Sequence, residues 1–223
     1  PNTDGAGEAH YWIGVGFFDL EQHQQAIPDL NKARNIDPQY EDNATLRLII
    51  CHYQLEEIDA LTKNARRYLE NAPQETDQGA KARRAFIPPQ VLEYLGKKLA
   101  SSRDHENAEY FLSALTLRRN PGDISSSVWK LLAECRSELK KHAGVIIACD
   151  NFLVQTGRPS ERASAYLQRS FAQFCLKQYD DARNSAQESL RSQKEGRTNA
   201  EARILLGDIA AANGNLALSL IHI

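Results

Sequence analysis

The chain has 223 residues, 42% of them hydrophobic and 25% charged, enough to bury a continuous core in one elongated domain. A formal net charge of −2 excludes a whole-chain field that would gather nucleic acid or an anionic membrane. No apolar run reaches the roughly 20 residues that span a bilayer, so no direct membrane insertion is expected. The sequence contains no methionine, initiator included, and no visible signal peptide, and so reads as a processed protein or an excised fragment.

In chain order, Tyr11, Trp12, Val15 and Phe18 recur at helical spacing, Glu21 and Gln22 interrupt, and Ala26, Leu30 and Ala33 recur before Asp37-Pro38. This predicts two helices joined by a tight turn, with Gly14 and Ala26 small enough to let the backbones approach to about 8–10 Å. Pro28 falls inside the second helix, where it should kink the axis or open the ladder. A second unit, Asp42 to Pro73, has Leu48 where a small residue is expected, with the register open by one residue. Residues 74–87 form an insertion that is polar and basic at first.

Beyond the insertion a strict period appears. Gly96, Ala133, Ser170 and Gly207 are each 37 residues apart, and Ala108, Val145, Ala182 and Ser219 follow them twelve residues behind. Two phased series of compact residues mark two helices crossing closely in every unit, which predicts an array of helical hairpins. Asn120-Pro121 closes the third unit, and Gly157 falls near the expected end of the fourth. The fifth carries Tyr166, Ser170, Tyr179, Ala182 and Ala186, with Arg169 where a leucine is expected. The sixth opens on Thr198 and Glu201, spaced as a capping box, and turns at Asn213-Gly214. Leu218, Leu220, Ile221 and Ile223 then present an apolar end, which implies either further repeats or docking on another chain.

The first hairpin resembles a tetratricopeptide repeat. Ile13-Gly14, Phe17, Ala26, Leu30, Ala33 and Pro38 meet every position of that family's pattern, and weaker matches hold register through Leu95-Gly96, Leu132-Ala133 and Leu206-Gly207. The resemblance implies an all-α fold, a right-handed superhelical solenoid of antiparallel helix-turn-helix repeats in a single domain over 1–223. The repeats fall at about 8–39, 42–73, 88–121, 125–157 and 160–194, with an incomplete sixth at 198–223.

No chemistry-bearing motif stands out. His23, His105 and His142 each follow their unit's small residue by nine positions, in a slot that Tyr179 and Leu216 also occupy, which fits packing and not metal ligation. Nucleophile, Walker-type and dinucleotide-binding patterns are not found, so no catalytic residue, metal or cofactor is expected. Cys51, Cys135, Cys149 and Cys175 read as buried thiols, with a Cys135–Cys149 disulfide as the alternative. The basic clusters Lys63, Arg66 and Arg67, then Lys81, Arg83 and Arg84, then Arg118 and Arg119, read as solvated faces, with a positive face for an acidic protein or lipid surface as the alternative; no aromatic platform for nucleic acid is interleaved with them.

Stacked hairpins of this kind line a concave wall with their first helices. The candidate peptide-binding groove comprises Tyr11, Val15 and Phe18, then Ile50 and Tyr53, then Lys97, Lys130 and Glu134, then Leu167, Phe171 and Phe174. The alternative for any of these aromatics is packing against the neighbouring repeat. Some members of the family grip a chaperone C-terminal carboxylate with lysines and asparagines, but Val15 and Glu134 stand where such asparagines would fall. The function implied is a non-enzymatic protein–protein interaction scaffold for a peptide or protein segment. The alternative is an assembly module that forms homo-oligomers through the apolar C-terminal end. Repeats with this spacing also resemble those of bacterial envelope-associated proteins, leaving cell envelope and cytoplasm both open as locations.

Overall fold

In the computed structural model, which describes residues 5–70, 87–117 and 119–214, eleven helices alternate with short connections, and the described residues contain no strand. They are α1 (Ala6–Asp19), α2 (His23–Ile36), α3 (Glu41–Gln54), α4 (Ile58–Glu70), α5 (Pro89–Ser101) and α6 (His105–Thr116). There follow α7 (Ser126–Glu138), α8 (His142–Gln155), α9 (Pro159–Cys175), α10 (Tyr179–Ser192) and α11 (Arg197–Ala212). Most of the expected insertion, residues 74–86, lies outside the described residues, as do Arg118 and the apolar C-terminal end from Asn215 onward.

The connection inside each hairpin is the same three-residue turn. Its middle residue is left-handed: Glu21 (φ 58°), Glu56 (56°), Arg103 (65°), Lys140 (57°) and Lys177 (61°), with Gly214 (75°) at the equivalent place after α11. The left-handed amide donates to the carbonyl three residues back and the next amide to the one five back, as in Lys140 to Ser137 at 3.0 Å and Lys141 to Arg136 at 2.8 Å. This pair of bonds satisfies two carbonyls that a helix end leaves bare, which offsets the cost of about 1 kcal/mol for a side chain in the left-handed region.

The turn residue falls seven positions after the buried slot residue of each first helix, and in the five hairpins with both helices described the second helix begins two positions later. Counting back from Glu56 settles the second unit: its slot holds the buried Ile49, whereas Leu48, the residue expected there, packs into the core beside Leu30, Ala44 and Cys51. At Gly14 the expected partner is also displaced. A Cβ added there would come within 2.8 Å of Leu30 Cγ and 3.1 Å of the Leu30 amide nitrogen, so α1 touches α2 at Leu30, one turn beyond Ala26. In the fifth hairpin Ser170 and Ala182 do meet, the serine hydroxyl donating to the Ala182 carbonyl at 2.6 Å.

Two other local expectations change. The helix α2 continues unbroken through Pro28, which is exposed; the Gln24 carbonyl that loses its donor lies on an exposed residue within reach of water. The capping box does not form, because α11 starts at Arg197 behind Gly196 at φ 100°, and Glu201 accepts instead from Arg197 Nε at 2.7 Å. Arg169 occupies a leucine position by reaching outward: it donates to Asp150 on α8 at 2.6 Å and to Ser185 on α10 at 3.1 Å, and lies over the Tyr166 ring at 5.0 Å.

The chain divides into two compact units, Pro1–Lys98 and Leu99–Ile223, a boundary inside α5 that the repeat pattern does not announce. The spacing of the turn residues offers a reason: Glu21 and Glu56 are 35 residues apart, whereas Arg103, Lys140, Lys177 and Gly214 follow one another every 37. Unit 1 has a core of Tyr11, Val15, Ala26, Leu30, Ala33 and Ala44 around Leu48 and Cys51. In unit 2, α6 is stapled to α7 by Glu109, which accepts from Lys141 at 2.8 Å, Arg136 at 3.1 Å and Ser113 at 2.9 Å. Burial pushes the Glu109 carboxyl up, but these three donors together outweigh it and hold it below the usual carboxylate range.

Two outcomes follow. Replacing the strained Lys140 with glycine is expected to raise the unfolding free energy by about 0.5 kcal/mol and replacing it with valine to lower it by about 1 kcal/mol, as read by urea denaturation. Because the Glu109 carboxyl is depressed in the folded state, its contribution is full above the ordinary carboxylate pKa and is lost as pH falls through the depressed value. Urea midpoints measured on acidification should therefore fall more steeply for the native chain than for Glu109→Gln; parallel curves would count against the staple.

Candidate binding groove

The compact residue of each first helix sets two neighbouring slots, three positions before it and one after, which lie one helical turn apart on the same face. In unit 2 these slots hold Lys130 and Glu134 on α7, Leu167 and Phe171 on α9, and Ile204 and Asp208 on α11. The structure brings them to two adjoining depressions. The wider, about 520 Å³, is lined from Glu134 through Leu167 and Phe171 to Ile204 and Asp208, with Leu205 at its base and Ser164, Gln168 and Glu201 completing it. The narrower, about 240 Å³, shares Glu134, Ser164 and Gln168 and runs on to Lys130, Cys149, Phe152 and Glu161.

Two side chains give this groove its character. Phe171 is 50% exposed and Ile204 63% exposed, although both are large and apolar. Leu167 and Phe174 are half-buried, packed on Ala182, Leu205 and Ile209, so they form supporting wall. Carboxylates surround the apolar pair. Glu201 is engaged by Arg197, while Glu134 and Asp208 have no ion-pair partner among the described residues. In the narrow part Glu161 is already bound by Thr156 at 2.5 Å and Arg158 at 3.1 Å.

The remaining groove candidates are placed differently. Tyr11 and Val15, expected on the binding wall, are core residues with 6% and 8% exposure. Tyr11 stacks on Tyr40 at 4.5 Å, and the Arg47 guanidinium lies over its ring at 5.3 Å and over the half-buried Phe18 at 5.8 Å. Unit 1 thus covers Tyr11 and Phe18 from within, while Trp12 on the same helix stays 59% exposed. Ile50 and Tyr53 are half-buried, and Tyr53 meets Tyr94 edge-on at 5.1 Å. Lys97 is exposed and paired with Glu93 at 2.6 Å. Ile204, Asp208 and Glu201 were not among the sequence candidates, yet applying the same two slots to the sixth unit would have found the first two.

Histidines 23, 105 and 142 each open a second helix, and His23 packs edge-on to Phe18 at 5.8 Å just as Tyr179 packs on Phe174 at 5.9 Å. Among the described residues no three His, Cys, Asp or Glu side chains converge as a metal site would require. Of the basic clusters, Arg66 pairs with Glu70 and Arg67 with Glu41; Lys81, Arg83, Arg84 and Arg118 lie outside the described residues. No described helix is long and apolar enough to cross a membrane. All four thiols are free, and Cys175 is exposed rather than buried because it closes α9 at the solvent edge of its turn. Burial pushes the Cys51 and Cys135 thiols up to about 11 and that of Cys149 to about 12.

No family model matches the chain, and no curated protein matches it. Solved structures do. A MamA structure from strain MSR-1 is 11% identical, with 82% of this chain and 92% of that one aligned at a TM-score of 0.54. A second crystal structure of MamA is 12% identical over 77% and 87% of the two chains, with a TM-score of 0.52. MamA of Desulfovibrio magneticus RS-1, residue 41 to its end, is 15% identical over 74% and 90%, with a TM-score of 0.51. At these identities the likeness establishes the fold alone: an all-α array of tetratricopeptide-type hairpins.

The thiol environments are directly testable. Ellman's reagent is expected to titrate Cys175 alone in the native chain and all four thiols in guanidinium. Rapid native reaction at Cys149 would mean that the floor of the narrow depression opens in solution.

Proposed function

We propose that the chain is a non-enzymatic protein–protein interaction scaffold and that the groove across α7, α9 and α11 holds a peptide or protein segment. The observation that carries this reading is the pair Phe171 and Ile204, half or more exposed on the walls of one concave surface. Leaving half or more of such a side chain in water forgoes about 1–2 kcal/mol, and clustered exposure of this kind in a concavity is characteristic of an interaction surface. The groove offers shape, apolar anchors and carboxylates, but no nucleophile paired with a base. Its binding residues are Lys130, Glu134, Leu167 and Phe171, together with Ile204 and Asp208. In unit 1 Tyr11 belongs to the core, with Phe18 and Tyr40 packed against it.

Photocrosslinking in the source cells tests the reading. A benzophenone side chain introduced at Phe171 or Ile204 is expected to give discrete protein adducts, and one at the exposed Lys194 none. Ile204→Ser should reduce the Phe171 adduct by about tenfold, corresponding to loss of one buried anchor. Adducts of equal yield at Lys194 would defeat the proposal.

A further inference from the structure

We infer that the segment held in this groove is basic and amphipathic, with an apolar anchor flanked on each side by lysine or arginine; the inference rests on the groove reading above. Across the three first helices the slot after the compact residue reads Glu134, Phe171, Asp208: acid, aromatic, acid. Both carboxylates line the same wide depression as the Phe171 ring. Glu201 also lines the wider depression but is held by Arg197, and the described residues of that lining include no lysine or arginine. Among the described residues lining the groove, Lys130 is the one lysine or arginine; it lies in the narrow part, one turn from Glu134 and away from Ile204 and Asp208, and the His142 ring packs edge-on to Phe171 at 6.5 Å.

The energetics favour a basic occupant over the alternatives. With a net charge of −2 the molecule has little long-range field, so carboxylates within a Debye length of about 8 Å dominate what an arriving side chain feels. An apolar segment seated on Phe171 and Ile204 would partly strip water from Glu134 and Asp208, which have no ion-pair partner among the described residues. An acidic segment adds repulsion to that desolvation, a neutral one leaves it uncompensated, and a basic one supplies the missing partners.

The test uses the full chain and three labelled peptides of equal length, built of leucine and lysine, leucine and glutamate, and serine and lysine, followed by fluorescence anisotropy. The leucine–lysine peptide is expected to bind about tenfold tighter than either of the others, two partly exposed charge pairs accounting for the margin over glutamate. Its affinity should fall with added salt, and the double variant Glu134→Lys with Asp208→Lys should come to prefer the leucine–glutamate peptide. Equal binding of both leucine peptides, each weakened by Ile204→Ser, overturns the basic occupant and leaves the groove standing. Equal binding of the serine–lysine peptide reduces the effect to surface charge and overturns the inference. Insensitivity of all binding to Ile204→Ser, or no binding of any peptide at low salt, defeats the groove itself. Self-association seen by light scattering and abolished by the double variant assigns the groove to a second copy and overturns a separate basic partner.

Discussion

The hairpins depend on one coupled constraint: a buried contact residue, compact in every unit but the second, where it is Ile49, followed seven positions later by a left-handed turn residue. The first half sets how closely the helices approach; the second sets where the returning helix begins and with which face it returns. Because the turn bonds its own amides to the last carbonyls of the first helix, it needs no help from neighbouring repeats. Five of the six turn residues are charged side chains rather than glycine, so the local geometry is kept against a modest steric cost.

With the hairpin phase set, the remaining faces of each first helix are also set, and the two units use them oppositely. In unit 1 the outward slots carry Tyr11 and Val15, and Tyr40 and Arg47 fold over them, so apolar surface becomes core. In unit 2 the equivalent slots carry Leu167 and Phe171, but their neighbours on the same wall are Ser164, Gln168 and carboxylates. None of these covers an aromatic ring; His142 meets Phe171 only edge-on at 6.5 Å, leaving it half exposed, and a groove remains. The physical difference lies in the neighbours: a long guanidinium and a phenol can lie flat over a ring, whereas short or acidic side chains leave it open to solvent.

The hairpins themselves were legible in the sequence. The 37-residue series predicted the buried positions Gly96, Ala133, Ser170 and Gly207, and the breaks near Glu21 and Gly214 predicted turns. The second unit was less so, because neither Leu48 nor Ile49 is small, and only the left-handed Glu56 shows which of them occupies the slot. In the sixth unit Ile204 and Asp208 stand at the same offsets from Gly207 as Leu167 and Phe171 do from Ser170, so their shared face follows from spacing while their exposure does not.

Spacing along the chain determined which residues share a helical face, since that depends only on 3.6 residues per turn and on where turns interrupt it. It could not determine which faces are covered. That Arg47 lies over Tyr11, that Arg169 reaches Asp150 on another hairpin, and that Phe171 is left exposed beside Ile204 were decided by tertiary packing. Cover comes from side chains remote in sequence, and its presence depends on their length, charge and direction rather than on any period.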